Sequence, residues 1–135
     1  MLKHTDQPLK DPHLLPPLAL AYVGDAVYEL AVRRLLITTG TLKAHKLHKS
    51  AIKYVRAGSQ AEIIHGIEDM LTEEEKSIVR RGRNAKSVTV PKGAGVMEYR
   101  HSTSFECLIG YLYLKGDINR LNEILEVAGK IATEL

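Results

Sequence analysis

The sequence predicts an all-α fold, on two observations. Apolar residues recur at three- and four-residue steps between helix-capping residues and stop glycines. No stretch alternates apolar and polar residues long enough for a good strand, and only Ser87–Val90 suits even a short one. At 135 residues the chain fits one domain, long enough to bury a single core without disulfides. Residues 1–17, polar and broken by Pro8, Pro12, Pro16 and Pro17, read as an N-terminal extension, and residues 18–135 as the domain.

The elements follow in order. Pro16 and Pro17 mark a helix start, and the apolar run Leu18–Ile37 ends at Thr38-Thr39-Gly40. Thr41 is placed to cap a second helix to about Ala57, with Leu47, Ala51, Ile52 and Val55 on one side and lysines on another. Ser59-Gln60-Ala61-Glu62 has the capping-box pattern for a third helix to about Leu71, and Thr72-Glu73-Glu74-Glu75 opens a fourth. That fourth helix carries acids in its first turn and Arg80 and Arg81 in its last, as the helix dipole favours, with Gly82 as its stop. Arg83–His101 lacks apolar periodicity and reads as a long loop, of the length that is usually functional or disordered. A fifth helix is expected over Thr103–Leu114, stopped by Gly116, and a sixth, capped by Asp117, carries Ile118, Leu121, Ile124, Leu125, Ala128, Ile131 and Ala132.

Composition narrows the function classes. No apolar run reaches the roughly 18 residues of a membrane span, and the N-terminus has no apolar signal-peptide core. The single cysteine, Cys107, forms no internal disulfide and suits a reducing compartment; a cytoplasmic protein is expected. The net charge of +3 understates its asymmetry: Thr41–Arg56 and Arg80–His101 together hold eleven of the nineteen basic residues and one of the sixteen acids. A basic surface on an otherwise acidic chain points to a polyanionic partner, with solvated helix faces as the plainer alternative.

Asp25 is the most informative residue. It lies in Leu18–Val32, a helix apolar on nearly every side, where a carboxylate must be paired, hydrogen-bonded or bound to a metal. Gly24 beside it leaves room for another helix to approach. Glu29, one turn on, is better placed to pair with Arg33 than to join Asp25. Glu106 closes a possible capping box with Thr103, yet it also stands at the edge of a strongly apolar helix, where it could meet Asp25 around a hard cation such as Mg²⁺. The histidines lack zinc spacing, Cys107 reads as a small core residue, and Gly93-Ala94-Gly95 is no nucleotide-phosphate loop. Arg80-Arg-Gly-Arg-Asn-Ala-Lys86 gathers donors for phosphates or ribose hydroxyls: Arg80, Arg81, Arg83, Asn84 and Lys86, to which Lys46 and Lys49 of the lysine-rich helix are added.

Tyr22-Val-Gly-Asp-Ala-Val-Tyr-Glu29 and Ser102-Thr-Ser-Phe-Glu-Cys-Leu-Ile-Gly-Tyr-Leu-Tyr-Leu114 together resemble the two acidic signature helices of ribonuclease III catalytic domains. With Arg81-Gly-Arg-Asn-Ala-Lys-Ser87 between them, the match is to the Mini-ribonuclease III branch, which lacks a separate double-stranded-RNA-binding domain. The resemblance covers roughly Leu18 to the C-terminus. It implies the ribonuclease III endonuclease-domain helical fold and a homodimer that cleaves double-stranded RNA with Mg²⁺ and matures large-subunit ribosomal RNA precursor. It places the signature aspartate on Asp25 and the signature glutamate on Glu106, as metal-binding and catalytic residues. The implied chemistry is in-line attack by a metal-activated water. Larger relatives carry further acids where this chain has Leu18 and Thr103. The alternative is a non-catalytic RNA-binding or ribosome-associated module on the same fold.

Overall fold

The computed structural model describes residues 8–40, 42–85 and 95–135. Among them are six α-helices and no strand: α1 Pro17–Thr39, α2 Ala44–Val55, α3 Ala57–Ile67, α4 Glu73–Asn84, α5 Val96–Lys115 and α6 Ile118–Thr133, with short 3-10 turns at Pro12–Leu14 and Glu68–Met70. The all-α expectation holds. The Thr41 cap, Ser87–Val90 and Gly93–Ala94 lie outside the described residues.

The centre of the molecule is α5. From Ser102 to Leu112 every residue except Glu106 is buried, and α1, α3 and α4 make their largest contacts with it. Tyr28 of α1 meets Phe105 edge-on, ring centroids 4.9 Å apart, and donates its hydroxyl to the Tyr54 carbonyl at 3.0 Å. The first long helix, apolar on nearly every side in sequence, is therefore not the central one. On α1 only the stripe Leu20, Ala21, Gly24, Tyr28, Val32 and Leu36 is buried, while Leu18, Tyr22, Leu30 and Ile37 remain exposed.

Helix α5 begins at Val96, two turns before the predicted start. The capping-box reading of Thr103–Glu106 therefore fails. Thr103 sits inside the helix, with its Oγ1 donating to the Tyr99 carbonyl at 2.9 Å; Ser102 Oγ donates to the same carbonyl, and Ser104 Oγ to that of His101. Hydroxyls that look like caps in sequence are here satisfied by the preceding turn of their own helix, which lets them be buried. The Ser59–Glu62 box is likewise absent: α3 starts at Ala57, and Ser59 and Gln60 are buried within it. The third predicted box does form, with Glu75 N–H donating to Thr72 Oγ1 at 3.1 Å and Thr72 N–H to Glu75 Oε1 at 2.9 Å. Asp117 caps α6 by accepting from the Arg120 N–H at 3.2 Å.

Gly82 is not a stop, since α4 runs on to Asn84. A Cβ there would come within 2.8 Å of both Cys107 Sγ and Ser104 Cα, so the residue serves close helix contact. Gly116 does end α5, in the left-handed region at φ 82°. The segment before α1 is tied to the domain. Leu9 N–H donates to the Leu114 carbonyl at 2.7 Å, and Arg81 donates to the carbonyls of His13 at 2.6 Å and Leu15 at 3.0 Å.

Candidate active site

The site is set by the crossing of α1 over α5. A Cβ on Gly24 would overlap the backbone carbonyl of Glu106, and a Cβ on Gly110 would overlap that of Leu20. Two glycines thus let the helix backbones touch, and the residues beside them, Asp25 and Glu106, are brought carboxyl to carboxyl in a mutual hydrogen bond. The room inferred at Gly24 from sequence is occupied by α5.

Which acid is desolvated is the reverse of the sequence expectation. Asp25 is exposed, because the face of α1 that carries it is not covered. Glu106 is the half-buried member, and its pKa is pushed up to about 8, first by burial and then by the Asp25 charge and hydrogen bond. One group pulls the other way: the side-chain amide of Gln60, which hydrogen-bonds the Glu106 carboxyl and favours its charged form. Sequence reasoning missed Gln60. The available signal is a glutamine at the helical spacing of Ile63, Ile64 and Ile67, on the apolar side of its helix.

Two carboxylates on separate helices, with no third acid, histidine or cysteine in a metal-sized group among the described residues, make a small hard-oxygen donor set. Such a set fits Mg²⁺, which keeps several waters and takes one or two carboxylates. Gln60 Oε1 adds a buried acceptor to which no protein group donates among the described residues. The positions of the missing acids are equally clear. Leu18 is exposed, and Thr103 turns its hydroxyl back to the Tyr99 carbonyl.

The neighbouring residues sort by what they touch. Glu29 accepts from Arg33 at 2.9 Å, the ion pair anticipated in place of a ligand role. Cys107 is buried, donates its thiol to the Pro17 carbonyl at 2.9 Å, and is pushed up to about 12 by burial and then by the Glu106 charge; it is a core residue and no nucleophile. Lys46 and Lys49 are exposed on α2, and Arg80 and Asn84 on α4. Arg83 is half-buried near His101, whose ring stands 4.4 Å from that of His65. Burial, then His65 and Arg83, hold His101 below the usual histidine range. Arg81 is engaged with the segment before α1, and Lys86 lies outside the described residues.

The Ribonuclease III domain profile matches residues 18–117. The chain belongs to the ribonuclease III family. It is 51% identical over 120 residues to Mini-ribonuclease 3 of a Thermoanaerobacter strain, covering 89% of this chain and 84% of that one. It is 51% identical to Mini-ribonuclease 3 of Symbiobacterium thermophilum, covering 89% and 92% of the two chains. A crystal structure of a Fusobacterium nucleatum protein superposes with a TM-score of 0.81 at 34% identity, over 94% of this chain and all of that one. The six helices are therefore a ribonuclease III catalytic-domain fold of the Mini-ribonuclease 3 kind, and the chain is an endoribonuclease. No helix among the described residues is long and apolar enough to cross a membrane.

Proposed function

We propose that this ribonuclease III chain cleaves double-stranded RNA with Mg²⁺ held by Asp25 and Glu106. The observation that carries the reading is the carboxyl pair at the Gly24–Gly110 crossing. An enzyme fold that places a half-buried acid against a second acid raises the energy of its own charged form, and a divalent cation there offsets that repulsion. When bound, the cation supplies a water of lowered pKa and positive charge beside the leaving oxygen. The chain's own part is to hold the two carboxylates at fixed separation on rigid helices. Arg80, Arg83, Asn84, Lys46 and Lys49, with Lys86, would grip phosphates and 2′-hydroxyls, the features by which A-form duplex is read.

A homodimer is part of the same reading. The uncovered face of α1 presents Leu18, Tyr22, Ala26 and Leu30 at four-residue steps, with Tyr22 83% exposed. A second copy packed on this face by a two-fold axis would set two carboxyl pairs across one duplex, one for each strand. Tyr22→Glu should then convert a dimer to a monomer in sedimentation measurements; a wild-type monomer would exclude this face as a dimer contact. The resemblance extends the substrate to large-subunit ribosomal RNA precursor in the cytoplasm, which ribosomal RNA end-mapping in cells lacking the protein tests.

The central experiment incubates purified protein with long duplex RNA in Mg²⁺ or EDTA. Mg²⁺-dependent fragments are expected, and Asp25→Asn should abolish them while leaving folding and RNA binding nearly intact. Wild-type cleavage by Asp25→Asn, or equal cleavage in EDTA, would refute the assignment.

A further inference from the structure

We propose that the cavity between the Glu68–Met70 turn and α4 binds a guanine nucleotide, with the carboxylates of the turn reading the base and the basic stripe of α4 holding the phosphates. Neither Asp25 nor Glu106 lines this cavity, and the inference needs no cation between them.

The cavity has a volume of about 270 Å³, close to the roughly 300 Å³ at which small-molecule sites begin. That is room for one base and its ribose. The lining falls into three parts. Leu71 and Val79, both buried, give it an apolar part. Glu68 and Asp69 form one charged wall on the turn. Lys76, Arg80 and Arg83, four and three residues apart on one side of α4, form the other. No ion pair joins the two walls among the described residues. Glu68 lies 3.8 Å from His65 Nδ1 and Lys76 lies 3.6 Å from Glu73, both loose contacts between exposed groups. Asp69, Arg80 and Arg83 have no side-chain hydrogen bond or ion pair among the described residues. Opposite charges that line one gap without closing it leave both sets open to a ligand with complementary chemistry at its two ends.

Such a ligand has a flat apolar body, neighbouring donors at one end and negative charge at the other. Among the bases, guanine fits: its N1–H and N2–H₂ stand side by side on one edge and match the two oxygens of a carboxylate. Adenine and cytosine set an amine beside an acceptor, which a carboxylate repels. Uracil offers one N–H between two carbonyls. The phosphates then fall to Lys76, Arg80 and Arg83, whose donors make charged hydrogen bonds. A guanine in a G·C pair has its N1–H engaged, so the cavity suits a free nucleotide or an unpaired guanosine in a strand.

Equilibrium dialysis of full-length protein tests this, with GDP measured against IDP, ADP and guanosine. EDTA in the buffer removes any cation that could recruit phosphate to Asp25 and Glu106. IDP differs from GDP only in lacking the N2 amine. GDP should bind about 10-fold or more tightly than IDP or ADP, the effect of one hydrogen bond to a charged group, and more tightly than guanosine. Asp69→Asn and Glu68→Gln change exposed side chains without changing their shape, and circular dichroism checks their folding. At least one of them should lose the preference for GDP over IDP, and Lys76→Ala should shrink the advantage of GDP over guanosine. Short single-stranded oligouridines with one central guanosine or one central inosine separate the two sources. A guanosine preference as large as that of GDP assigns the cavity to RNA strands, and its absence assigns it to the free nucleotide. Equal binding of GDP, IDP and ADP would overturn the inference, leaving a basic helix face that attracts any phosphate. So would no measurable binding of GDP, or a GDP preference that survives in both carboxylate variants. The wild-type comparison decides the matter even where a variant fails to fold.

Discussion

Gly24 and Gly110 lie face to face where α1 crosses α5, each against backbone of the other's helix. In an ordinary exposed helix, Gly→Ala stabilises by about 1 kcal/mol. Here the added methyl has only backbone to meet, and backbone cannot swing aside. Gly24→Ala and Gly110→Ala should each destabilise the fold by about 1–3 kcal/mol or more and should part the Asp25–Glu106 pair. Urea unfolding gives the sign directly. A more stable Gly24→Ala protein would mean that the crossing is looser than described.

The carboxyl pair should oppose stability in the absence of metal. Glu106→Gln removes the charge that burial and Asp25 disfavour, so at pH 8 in EDTA this variant should melt above wild type. Its cleavage rate should drop by roughly a thousandfold or more if it holds the cation. Stability gained together with activity lost is the signature of a strained functional site. A variant that melts lower in EDTA would show that Glu106 supports the fold.

The same group dictates a pH slope. A carboxyl raised from 4.5 to about 8 keeps its proton in the folded state where the unfolded chain has lost it. Its contribution is fully present below pH 4.5 and is lost as pH rises through about 8. Metal-free protein should therefore lose stability across that window. Added Mg²⁺ competes with the proton and should stabilise most at the alkaline end. Thermal midpoints in EDTA and in Mg²⁺ at pH 5.5 and 8.5 measure both effects, and an identical slope in Glu106→Gln would assign the effect to other groups.

The sequence offers Arg81 as an RNA-gripping residue, but in the structure it donates to the His13 and Leu15 carbonyls. Arg81→Met should cost about 2–3 kcal/mol by removing charged hydrogen bonds, and should speed hydrogen exchange at the Leu9 amide, which donates to Leu114. Duplex-RNA affinity should fall less than in Arg80→Ala or Arg83→Ala. An RNA-binding loss equal to theirs, with stability unchanged, would return Arg81 to the RNA surface.

What could be read from sequence follows the range of the interactions. Local signals were legible: the Thr72–Glu75 box, the Asp117 cap, the Gly116 stop, the Glu29–Arg33 pair and the helical character throughout. Signals set by tertiary packing were not. Ser59, Thr103 and Ser104 have the residue types of caps, yet burial among other helices makes them interior residues. Apolar residues all round α1 imply cover on every side, but Tyr22 and Leu30 stand uncovered in one chain. That same uncovered face is why Asp25 is exposed and Glu106, on the central helix, is the desolvated acid. Both candidate acids are legible in the sequence, but the burial that the sequence implies for Asp25 belongs to Glu106. Gln60 needed a contact over 46 positions, which no local pattern carries.

Glu75 and Arg120 illustrate this range limit and support a last prediction. Glu75 is 4% exposed and completes the Thr72 box, a local feature; its bidentate partner Arg120 lies 45 positions on, at 2.8 Å and 2.7 Å, and also donates to the Met70 carbonyl at 2.6 Å. Burial by itself would raise the Glu75 carboxyl, but hydrogen bonds from Arg120 and Thr72 hold it below the usual range. Its stabilisation is therefore present above the unfolded pKa and lost as pH falls through the folded one, opposite in sign to Glu106. Glu75→Leu alone leaves the half-buried Arg120 guanidinium with only Glu123 and the Met70 carbonyl and should cost about 1–3 kcal/mol. The double variant Glu75→Leu with Arg120→Met should recover much of that loss, because removing both charges removes both desolvation costs. Chemical unfolding of the two single variants and the double variant gives the coupling. Strictly additive losses would mean that the pair does not act as a unit and that Arg120 is held mainly by Met70 and Glu123.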